Sequence, residues 1–375
     1  MSVLPEAEGP LRVAMIGTRG VPARYGGFET AVEQVGRRLA GRGHRVTVYC
    51  RGAEEPAREH LGMELVHLPA VRRRSLETLS HAGLSVLHAL RHRPDVAVLF
   101  NAANAPLVPV LRAARLPVAV HVDGLEWKRA KWAGAGARYY RYAERSVARS
   151  GAALVADARG IADHLQDSYG RGSFLIPYGA EILAPGTDRL AEAGVELGRY
   201  HLVVARMEPE NHVREIVAGY ARALSPVPLV VVGSAPYSDA YITAVRATGV
   251  TSDVRFLGAV WDQELLNQLY AHCRSYLHGH SVGGTNPSLL RAMGCGAPVT
   301  AYDVVFNHEV TAGHARFFAD PTAVTRAIRA DDSDPDAAAA RGIRGREHVA
   351  EAYRWDDVAD RYERMLRELA ATRTR

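Results

Sequence analysis

The segment LRVAMIGTRGVPARYGGFET (11–30) holds the pattern that decides the fold class. It starts as a short apolar run suited to a buried parallel strand, continues through a glycine-rich loop, and ends where a helical pattern begins. A strand, a loop and a helix in this order form the first half of a βαβ unit. Its glycines, at Gly17, Gly20, Gly26 and Gly27, do not have the G-x-G-x-x-G spacing of a dinucleotide-binding turn.

Short β-branched runs and helical patterns alternate along most of the chain, which is typical of parallel sheets covered by helices on both faces. Strands are predicted at 11–17, 45–50, 64–68, 95–100, 117–122, 152–156, 173–177, 200–205, 228–233, 254–258, 275–279 and 297–302. Helices are predicted near 28–42, 75–91, 105–115, 134–150, 158–169, 212–224, 237–248, 262–272 and 286–294. From about residue 321 the pattern predicts helices only.

A turn-rich segment, PYGAEILAPGTDR (177–189), interrupts the alternation in the middle of the chain. The simplest interpretation is a pair of doubly wound, Rossmann-like α/β domains, at 1–185 and 198–354, followed by a final helix at 355–375. The length of 375 residues is sufficient for two such domains. Ligands of these folds bind at the carboxyl ends of the strands, so the domains are expected to face each other across a ligand-binding cleft.

The composition argues against several classes of protein. No run approaches the ~20 apolar residues of a membrane span, and residues 1–10 lack the features of a signal peptide, so a cytoplasmic protein is expected. The acidic run DDSDPD (331–336) is predicted to be a solvated loop, and the cysteines have no metal-ligand spacing, so neither a metal nor a cofactor is expected. A net charge of +5 without a nucleic-acid-binding motif predicts no nucleic-acid partner. Buried free thiols are predicted for Cys50, Cys273 and Cys295.

A second glycine-rich loop, HGHSVGGTNPSLLRAMGCG (278–296), follows a predicted strand in the C-terminal half. Asn286 is suited to cap a helix and Pro287 to occupy its first position, while residues 281–285 can present main-chain N–H groups to an anion. The loop at 17–30 also leads into a helix N-terminus, where free N–H groups attract anions. Two such loops facing each other would suit a diphosphate.

A third motif, ARMEPENHVREIV (205–217), follows the first predicted strand of the C-terminal domain. Arg206 stands at the end of that strand and is expected to neutralise a phosphate through a charge-assisted hydrogen bond worth about 1.5–3 kcal/mol. An arginine at a strand end is also a common solvated charge, so this motif alone is weak evidence for a phosphate site. It supports such a site only together with the two glycine-rich loops.

Together, GTRGVPARYGGFET, DGLEWKRAKW, ARMEPEN and SVGGTNPSLL resemble the motifs of the retaining glycosyltransferases of family GT4, in the right order and over essentially the whole chain. They are similar in particular to a bacterial branch with a domain catalogued as DUF1972, whose members are often labelled rhamnosyltransferases. The resemblance implies a GT-B fold, a nucleotide-diphosphate sugar as donor, retention at the anomeric carbon and no metal requirement. It also implies that the C-terminal helix crosses back to pack on the N-terminal domain.

The resemblance further implies roles for individual donor-binding residues. Gly26 and Gly27 match the loop that approaches the donor diphosphate, and Arg206 matches the arginine that is placed on it. Asn211 stands where a partner lysine is usual, so one positive charge of the usual pair is missing. One loop is expected to hold the sugar and phosphate through its backbone, namely Gly283, Gly284, Thr285 and Asn286.

Two glutamates separated by seven residues are usual in the family, and both positions differ here. The first falls on Gly283, as in the branch named above, and the second on Arg291, where a glutamate normally binds the donor ribose. Arginine reverses the charge and replaces an acceptor by donors. Either Arg291 contacts the donor differently, for example at its phosphates, or donor binding is impaired, and an altered but active site is the preferred interpretation.

The acceptor side is predicted to lie in the N-terminal domain. Where many members have a histidine after the strand at 117–122, this chain has Asp123, which is expected to orient the acceptor hydroxyl or accept its proton, with Glu126 as the next candidate. His121 is expected to be a strand histidine with satisfied hydrogen bonds. The missing histidine often meets the donor's 6-hydroxyl, so its absence is compatible with a 6-deoxy sugar.

Basic and aromatic residues are interleaved in WKRAKWAGAGARYYRYAERSVAR (127–149), which includes the chain's two lysines. This segment is predicted to bind a phosphorylated or lipid-linked acceptor or an anionic membrane surface, and a solvated basic helix face is an equally good interpretation. The predicted acceptor-binding residues are Arg24, Tyr25, Lys128, Arg129 and Lys131.

The resulting prediction is a hexosyltransferase that moves a hexose or 6-deoxyhexose, for example L-rhamnose, from a dTDP-, UDP- or GDP-sugar to a glycan, lipid-linked or natural-product acceptor. Its predicted catalytic residues are Asp123, Glu126 and Arg206, and peripheral contact with the inner face of the membrane is expected. The alternative is a catalytically impaired homologue that acts as a partner or regulatory subunit, which Asn211 and Arg291 motivate. A nicotinamide oxidoreductase is disfavoured because the glycine fingerprint is missing.

Overall fold

The computed structural model describes residues 9–23, 26–52, 57–71, 77–122, 124, 126–129, 134–234, 239–250 and 252–372. The chain divides into two compact units. The first unit runs to Tyr178 and also contains the C-terminal segment Trp355–Arg375, while the second is formed by Gly179–Arg354, with Arg129 grouped with it. Each unit has its own largely parallel sheet.

The first unit contains one sheet of eight strands: β1 (Arg12–Ile16), β2 (Arg45–Arg51), β3 (Glu59–His60), β4 (Met63–Leu68), β5 (Val96–Phe100), β6 (Val118–Val122), β7 (Ala153–Ala156) and β8 (Phe174–Leu175). Its first five helices are α1 (Gly27–Gly41), α2 (Glu77–His92), α3 (Val108–Ala113), α4 (Ala135–Arg149) and α5 (Arg159–Tyr169). The strand order is β3-β4-β2-β1-β5-β6-β7-β8, and only β3 and β4 pair in antiparallel fashion among the described strands. Every residue of β5 and β6 is buried, as expected for central parallel strands covered on both faces.

The second unit contains one sheet of six parallel strands: β9 (His201–Val204), β10 (Leu229–Val232), β11 (Val254–Gly258), β12 (Ser275–His278), β13 (Val299–Tyr302) and β14 (Ala315–Phe318). Its helices are α6 (Val213–Ala223), α7 (Asp239–Thr248), α8 (Gln263–Ala271), α9 (Pro287–Gly294), α10 (Val305–Thr311), α11 (Pro321–Ser333) and α12 (Pro335–Ala352). The strand order is β11-β10-β9-β12-β13-β14. Strand order reverses between β9 and β12, so the carboxyl ends of these two strands are the expected ligand-binding position in this unit.

The last helix, α13 (Trp355–Ala371), packs in the first unit, mainly against α1. Its apolar face is buried, including Tyr362 and Met365 at 2% and 0% exposure. Glu363 on its polar side meets Arg42, with 2.7 Å between Oε2 and Nη1, and His44, with 3.2 Å between Oε1 and Nε2. The C-terminal helix thus returns to the N-terminal unit, as the resemblance implies, and the predicted α/β fold class is confirmed.

The ion pairs of Glu363 predict an acid-sensitive contribution to stability. Burial raises the pKa of this carboxyl, but hydrogen bonds from Arg42, Arg367 and His44 outweigh burial and lower it to about 2, from an ordinary value of 4.5. A folded-state pKa below the ordinary value stabilises the fold above pH 4.5, and this stabilisation is lost as the pH falls from 4.5 toward 2. Glu363→Gln is therefore expected to flatten the fall of melting temperature across this window.

Glu368→Gln is the matched control, because it also removes a carboxylate from α13. Glu368 forms no ion pair with any described residue, so its loss is not expected to change the acid sensitivity. The measurement is the melting temperature of the wild-type protein, Glu363→Gln and Glu368→Gln as a function of pH between 5 and 2.5. A Glu363→Gln profile as steep as that of the wild-type protein would show that these ion pairs do not stabilise the helix.

Several features of this fold differ from the sequence-based expectations. The run DDSDPD is not a solvated loop: Asp331 is fully buried, with both carboxylate oxygens 2.9 Å from Nη2 of Arg341, and Asp334 caps α12. Strand β14 was not predicted, because it has only four residues and carries a charge within an aromatic run. The short helix α10, of seven residues, was not predicted either. The predicted helix near 105–115 is split into a 3-10 turn, Ala102–Leu107, and the short α3. The cysteines are free and buried, as predicted.

Candidate functional site

The glycine-rich loop of the first unit connects β1 to α1, and two of its glycines are required by packing. Gly17 and Gly20 have φ angles of 105° and 108°. A Cβ on Gly17 would overlap the carbonyl oxygen of Phe100, and a Cβ on Gly20 would lie 2.7 Å from the Cα of Cys50. The loop therefore lies directly on the ends of the neighbouring strands, where only glycine fits.

Two carboxylates of α1 hold this loop in place. Glu29 accepts a hydrogen bond from the Arg19 main-chain N–H at 3.0 Å, and Glu33 accepts one from the Ala23 main-chain N–H at 3.0 Å. Neither residue was predicted from the sequence, although an acid in the first turn of a helix, as at Glu29, is a visible signal. Because Glu29 already lies in the first turn of α1, the helix end at Gly26 and Gly27 is electrostatically less suited to an anion than a helix end without an acid.

Several predicted acceptor residues lie outside the described part of the chain, namely Asp123, Arg24, Tyr25 and Lys131. Glu126 begins a 3-10 turn that ends at Lys128, and Arg129 follows it as a partly buried residue. The roles predicted for all of them stay predictions.

His121 is a buried strand residue. Its Nδ1 lies 2.9 Å from the hydroxyl of Tyr362, and its ring packs against Phe28 and Phe100. Burial lowers the pKa of His121 to about 3, so the imidazole is uncharged near neutral pH. His121 is thus a strand histidine that ties α13 to the sheet, but its hydrogen bonds are not all satisfied as expected, because the buried Nε2 has no partner among the described residues.

In the second unit, Arg206 follows β9 by two residues and stands at the carboxyl end of the sheet. Its side chain is 47% exposed, and its Nη2 lies 3.6 Å from Oε2 of Glu208. Asn211 is 2% exposed, and its amide nitrogen donates to the main-chain oxygen of Arg206 at 2.8 Å. Asn211 therefore fastens the main chain beneath Arg206, and we name residues 206–212 the arginine turn.

The arginine turn is bound to the loop that follows β12, residues 279–286, which we name the glycine loop. His212 Nδ1 lies 2.9 Å from the oxygen of Gly279, and the N–H and hydroxyl of Ser281 both donate to the oxygen of Glu210 at 3.0 Å. The backbones approach so closely that a Cβ on Gly279 would overlap the oxygen of Asn211. The two segments at the reversal point of the sheet are thus fixed relative to each other.

The glycine loop leads into the N-terminus of α9. Asn286 caps this helix by accepting from the Ser288 N–H at 2.9 Å, and Pro287 occupies its first position, which confirms the predicted cap. Gly283 has a φ of 142°, and the next two residues, Gly284 and Thr285, are buried. The first turn of α9, all of which the structure describes, carries no acidic residue. This helix end is therefore better suited to an anion than that of α1.

Arg291, on the last turn of α9, is engaged by α8. Its Nε donates to Oδ1 of Asn267 at 2.8 Å, and its Nη1 and Nη2 donate to the side-chain and main-chain oxygens of Gln263 at 2.7 and 2.9 Å. The guanidinium therefore joins two helices through neutral acceptors. This contact could not be read from the sequence, since it depends on which face of α8 meets α9.

Two histidines at the start of this segment were not predicted from the sequence: His278 is the last residue of β12, and His280 lies in the glycine loop. The rings of His278 and His280 stack with 4.4 Å between centroids, and the hydroxyl of Tyr276 lies 3.0 Å from Nδ1 of His278. Burial lowers the pKa of His278 to about 3, and burial with nearby positive groups lowers that of His280. Both rings are uncharged near neutral pH, so they add no positive charge beside Arg206.

The described residues contain no group of three or more His, Cys, Asp or Glu side chains arranged to hold a metal ion. Among them we also find no helix with the length and apolar character needed to cross a bilayer.

Comparison with known proteins gave two family models in tandem. Residues 26–179 match the glycosyl transferase 4-like domain, and residues 198–330 match the glycosyl transferases group 1. A GDP-mannose-dependent alpha-(1-6)-phosphatidylinositol monomannoside mannosyltransferase of Mycobacterium tuberculosis is 29% identical over 95% of this chain and 98% of its own length. The O-antigen chain mannosyltransferase B of Escherichia coli is 32% identical over 38% of this chain and 40% of its own.

Solved structures share the fold at low sequence identity. Sucrose-phosphate synthase from Thermosynechococcus elongatus superposes with a TM-score of 0.80 at 21% identity, covering 96% of this chain and 99% of its own. Anabaena HepE in complex with UDP-glucose gives a TM-score of 0.77 at 15% identity, covering 95% and 99%. These likenesses show the GT-B fold.

Proposed function

This chain belongs to the GT4-like glycosyltransferases and has their GT-B fold, and on that premise we propose a retaining, metal-independent hexosyltransferase that uses a nucleotide-diphosphate sugar. The observation that carries the proposal is the joint position of Arg206 and the N-terminus of α9 at the reversal point of the second sheet. A half-exposed guanidinium and an acid-free helix end, held together by a backbone contact, place a positive charge and free N–H groups at the usual ligand position.

The proposed reaction breaks the bond between the anomeric carbon and the diphosphate, so negative charge develops on the leaving oxygens. Arg206 and the main-chain N–H groups at the start of α9 stabilise that charge because they are already oriented before the reaction. The acceptor oxygen attacks the face from which the diphosphate leaves, and a departing phosphate oxygen takes its proton. Asp123, or Glu126 in its place, is proposed to orient the acceptor hydroxyl.

Arg291 stands where a ribose-binding glutamate is usual, so the donor ribose must be held in another way. Its guanidinium donates hydrogen bonds to Gln263 and Asn267, so it stabilises the packing of α8 on α9. We propose that the ribose is held without the carboxylate that is usual at this position, and that the enzyme is altered but active.

Two sources of information order the donors to be tested. The relative from Mycobacterium tuberculosis is named for GDP-mannose, while the sequence motifs resemble a branch labelled rhamnosyltransferase. GDP-mannose and dTDP-L-rhamnose are therefore the first two candidates, followed by UDP-sugars. Glycans and lipid-linked or small-molecule glycan precursors are the proposed acceptors, with peripheral contact at the inner face of the membrane.

Calorimetric titration with dTDP, UDP and GDP and their sugars, in the presence of EDTA, is the first experiment. We expect selective binding of one nucleotide family in the micromolar range, and transfer of the sugar with its anomeric configuration retained, read by NMR. Absence of binding to every donor would favour a partner or regulatory subunit. Arg291→Glu, which restores the usual carboxylate, would then test whether that residue alone had removed donor binding.

A further inference from the structure

Glu210, in the arginine turn, carries a buried carboxylate whose hydrogen-bonding capacity is unused. The residue is 7% exposed, and neither Oε1 nor Oε2 has a hydrogen-bond partner among the described residues. An ionised carboxylate presents about four lone-pair sites, and leaving them unfilled away from water is unfavourable. Buried polar groups of native proteins have partners in the great majority of cases, so this carboxylate requires an explanation.

The position of Glu210 is fixed by its backbone. It lies in the 3-10 turn Pro209–Asn211, and its main-chain oxygen accepts two hydrogen bonds from Ser281 at 3.0 Å. Asn211, the next residue, is fastened to the oxygen of Arg206. The unused carboxylate therefore belongs to a residue whose main chain is held by hydrogen bonds from the glycine loop.

The chemistry of the surroundings selects the ligand. A phosphate is excluded at this carboxylate because two negative charges would repel each other in a poorly solvated site. A metal ion needs several oxygen or nitrogen ligands, and no such group occurs among the described residues. The guanidinium of Arg206 lies beside Glu208 instead, at 3.6 Å. The ligands left for this carboxylate are neutral hydrogen-bond donors, and sugar hydroxyls are donors of this kind.

We propose that the Glu210 carboxylate accepts hydrogen bonds from hydroxyl groups of the transferred sugar and so determines which donor is bound. The inference rests on the proposed function. Arg206, four residues earlier, takes the diphosphate, and Ser281, which holds Glu210, precedes Gly283 of the glycine loop by two residues. The carboxylate thus belongs to the turn that carries the phosphate-binding charge, and the main chain of its residue is hydrogen-bonded to the loop assigned to the sugar.

The test compares each nucleoside diphosphate with its own sugar derivative on wild-type protein and Glu210→Gln. The pairs are GDP with GDP-mannose, dTDP with dTDP-L-rhamnose, and UDP with UDP-glucose. Glutamine keeps the size but replaces a charged acceptor by a neutral amide, so affinity for the bound sugar nucleotide is expected to fall about ten-fold. Affinity for the free diphosphate is expected to stay equal or to increase, because a negative charge near it is removed.

Glu196→Gln is the matched control, since it removes an exposed carboxylate from the same unit. Glu210→Asp keeps the charge but withdraws the carboxylate by one methylene, and it is expected to weaken the sugar nucleotide selectively if Glu210→Gln fails to fold. Equal losses for diphosphate and sugar nucleotide, or no loss at all, would overturn the assignment while leaving the proposed function intact. Failure of wild-type protein to bind any sugar nucleotide would overturn the proposed function and the inference with it.

Discussion

Arg206→Ala is expected to lower kcat/KM by about 100-fold, and to weaken binding of the free nucleoside diphosphate by at least ten-fold. The Arg206 side chain is 47% exposed, and among the described residues it pairs with Glu208 at 3.6 Å, so its guanidinium is available to a phosphate at the carboxyl end of β9. A charge-assisted bond contributes about 1.5–3 kcal/mol, and in the proposed reaction it strengthens as charge moves onto the leaving diphosphate. The loss in kcat is therefore expected to add to the loss in binding.

Arg199→Ala is the control for this prediction. Arg199 lies in the same unit, is 62% exposed, and pairs with an exposed glutamate, Glu196, at 3.6 Å. The substitution Arg199→Ala removes the same formal charge as Arg206→Ala, but at a position away from the reversal point. Its effect on activity is therefore expected to stay within about two-fold. Steady-state kinetics and calorimetry on the two variants test whether Arg206 binds the diphosphate. Similar kinetics for both would mean that Arg206 is an ordinary solvated charge.

The fold was largely accessible from the sequence because its central strands are continuous apolar runs. The strands β5, β6, β9 and β10 were each predicted to within one residue at either end, since full burial on both faces leaves a plain signal. The acidic run at 331–336 was misjudged for the opposite reason. Its first aspartate, Asp331, is buried because Arg341, ten residues later on the next helix, and Arg316 both pair with it, and no local pattern encodes those contacts.

The candidate site was only partly accessible. Glycine spacing and the Asn286–Pro287 pair signalled the glycine loop, because helix caps have strong local preferences. The contacts of Arg291 and the isolation of the Glu210 carboxylate depend on packing between segments that are distant along the chain. Sequence can therefore show where a loop meets a helix, while only the structure shows which polar atoms are left without partners.

The contact between the arginine turn and the glycine loop provides the other large expected effect. In Gly279→Ala, the new Cβ would overlap the main-chain oxygen of Asn211 and lie 2.9 Å from its carbon and 3.2 Å from Cδ1 of Ile216. Backbone atoms cannot move aside as a flexible side chain would, so the two segments must separate. We expect destabilisation of about 1–3 kcal/mol and at least a ten-fold loss of nucleotide affinity, measured by melting and calorimetry.

Gly83→Ala is the control, because the glycine lies within α2 with no atom within 4 Å of the added Cβ. Alanine in a helix is favoured over glycine by about 1 kcal/mol, so this variant is expected to be as stable as the wild-type protein or more so. Normal nucleotide affinity in Gly279→Ala would mean that the donor does not need the two segments in contact. A selective loss in that variant would show that Arg206 and the N-terminus of α9 act as one binding site, which neither segment forms alone.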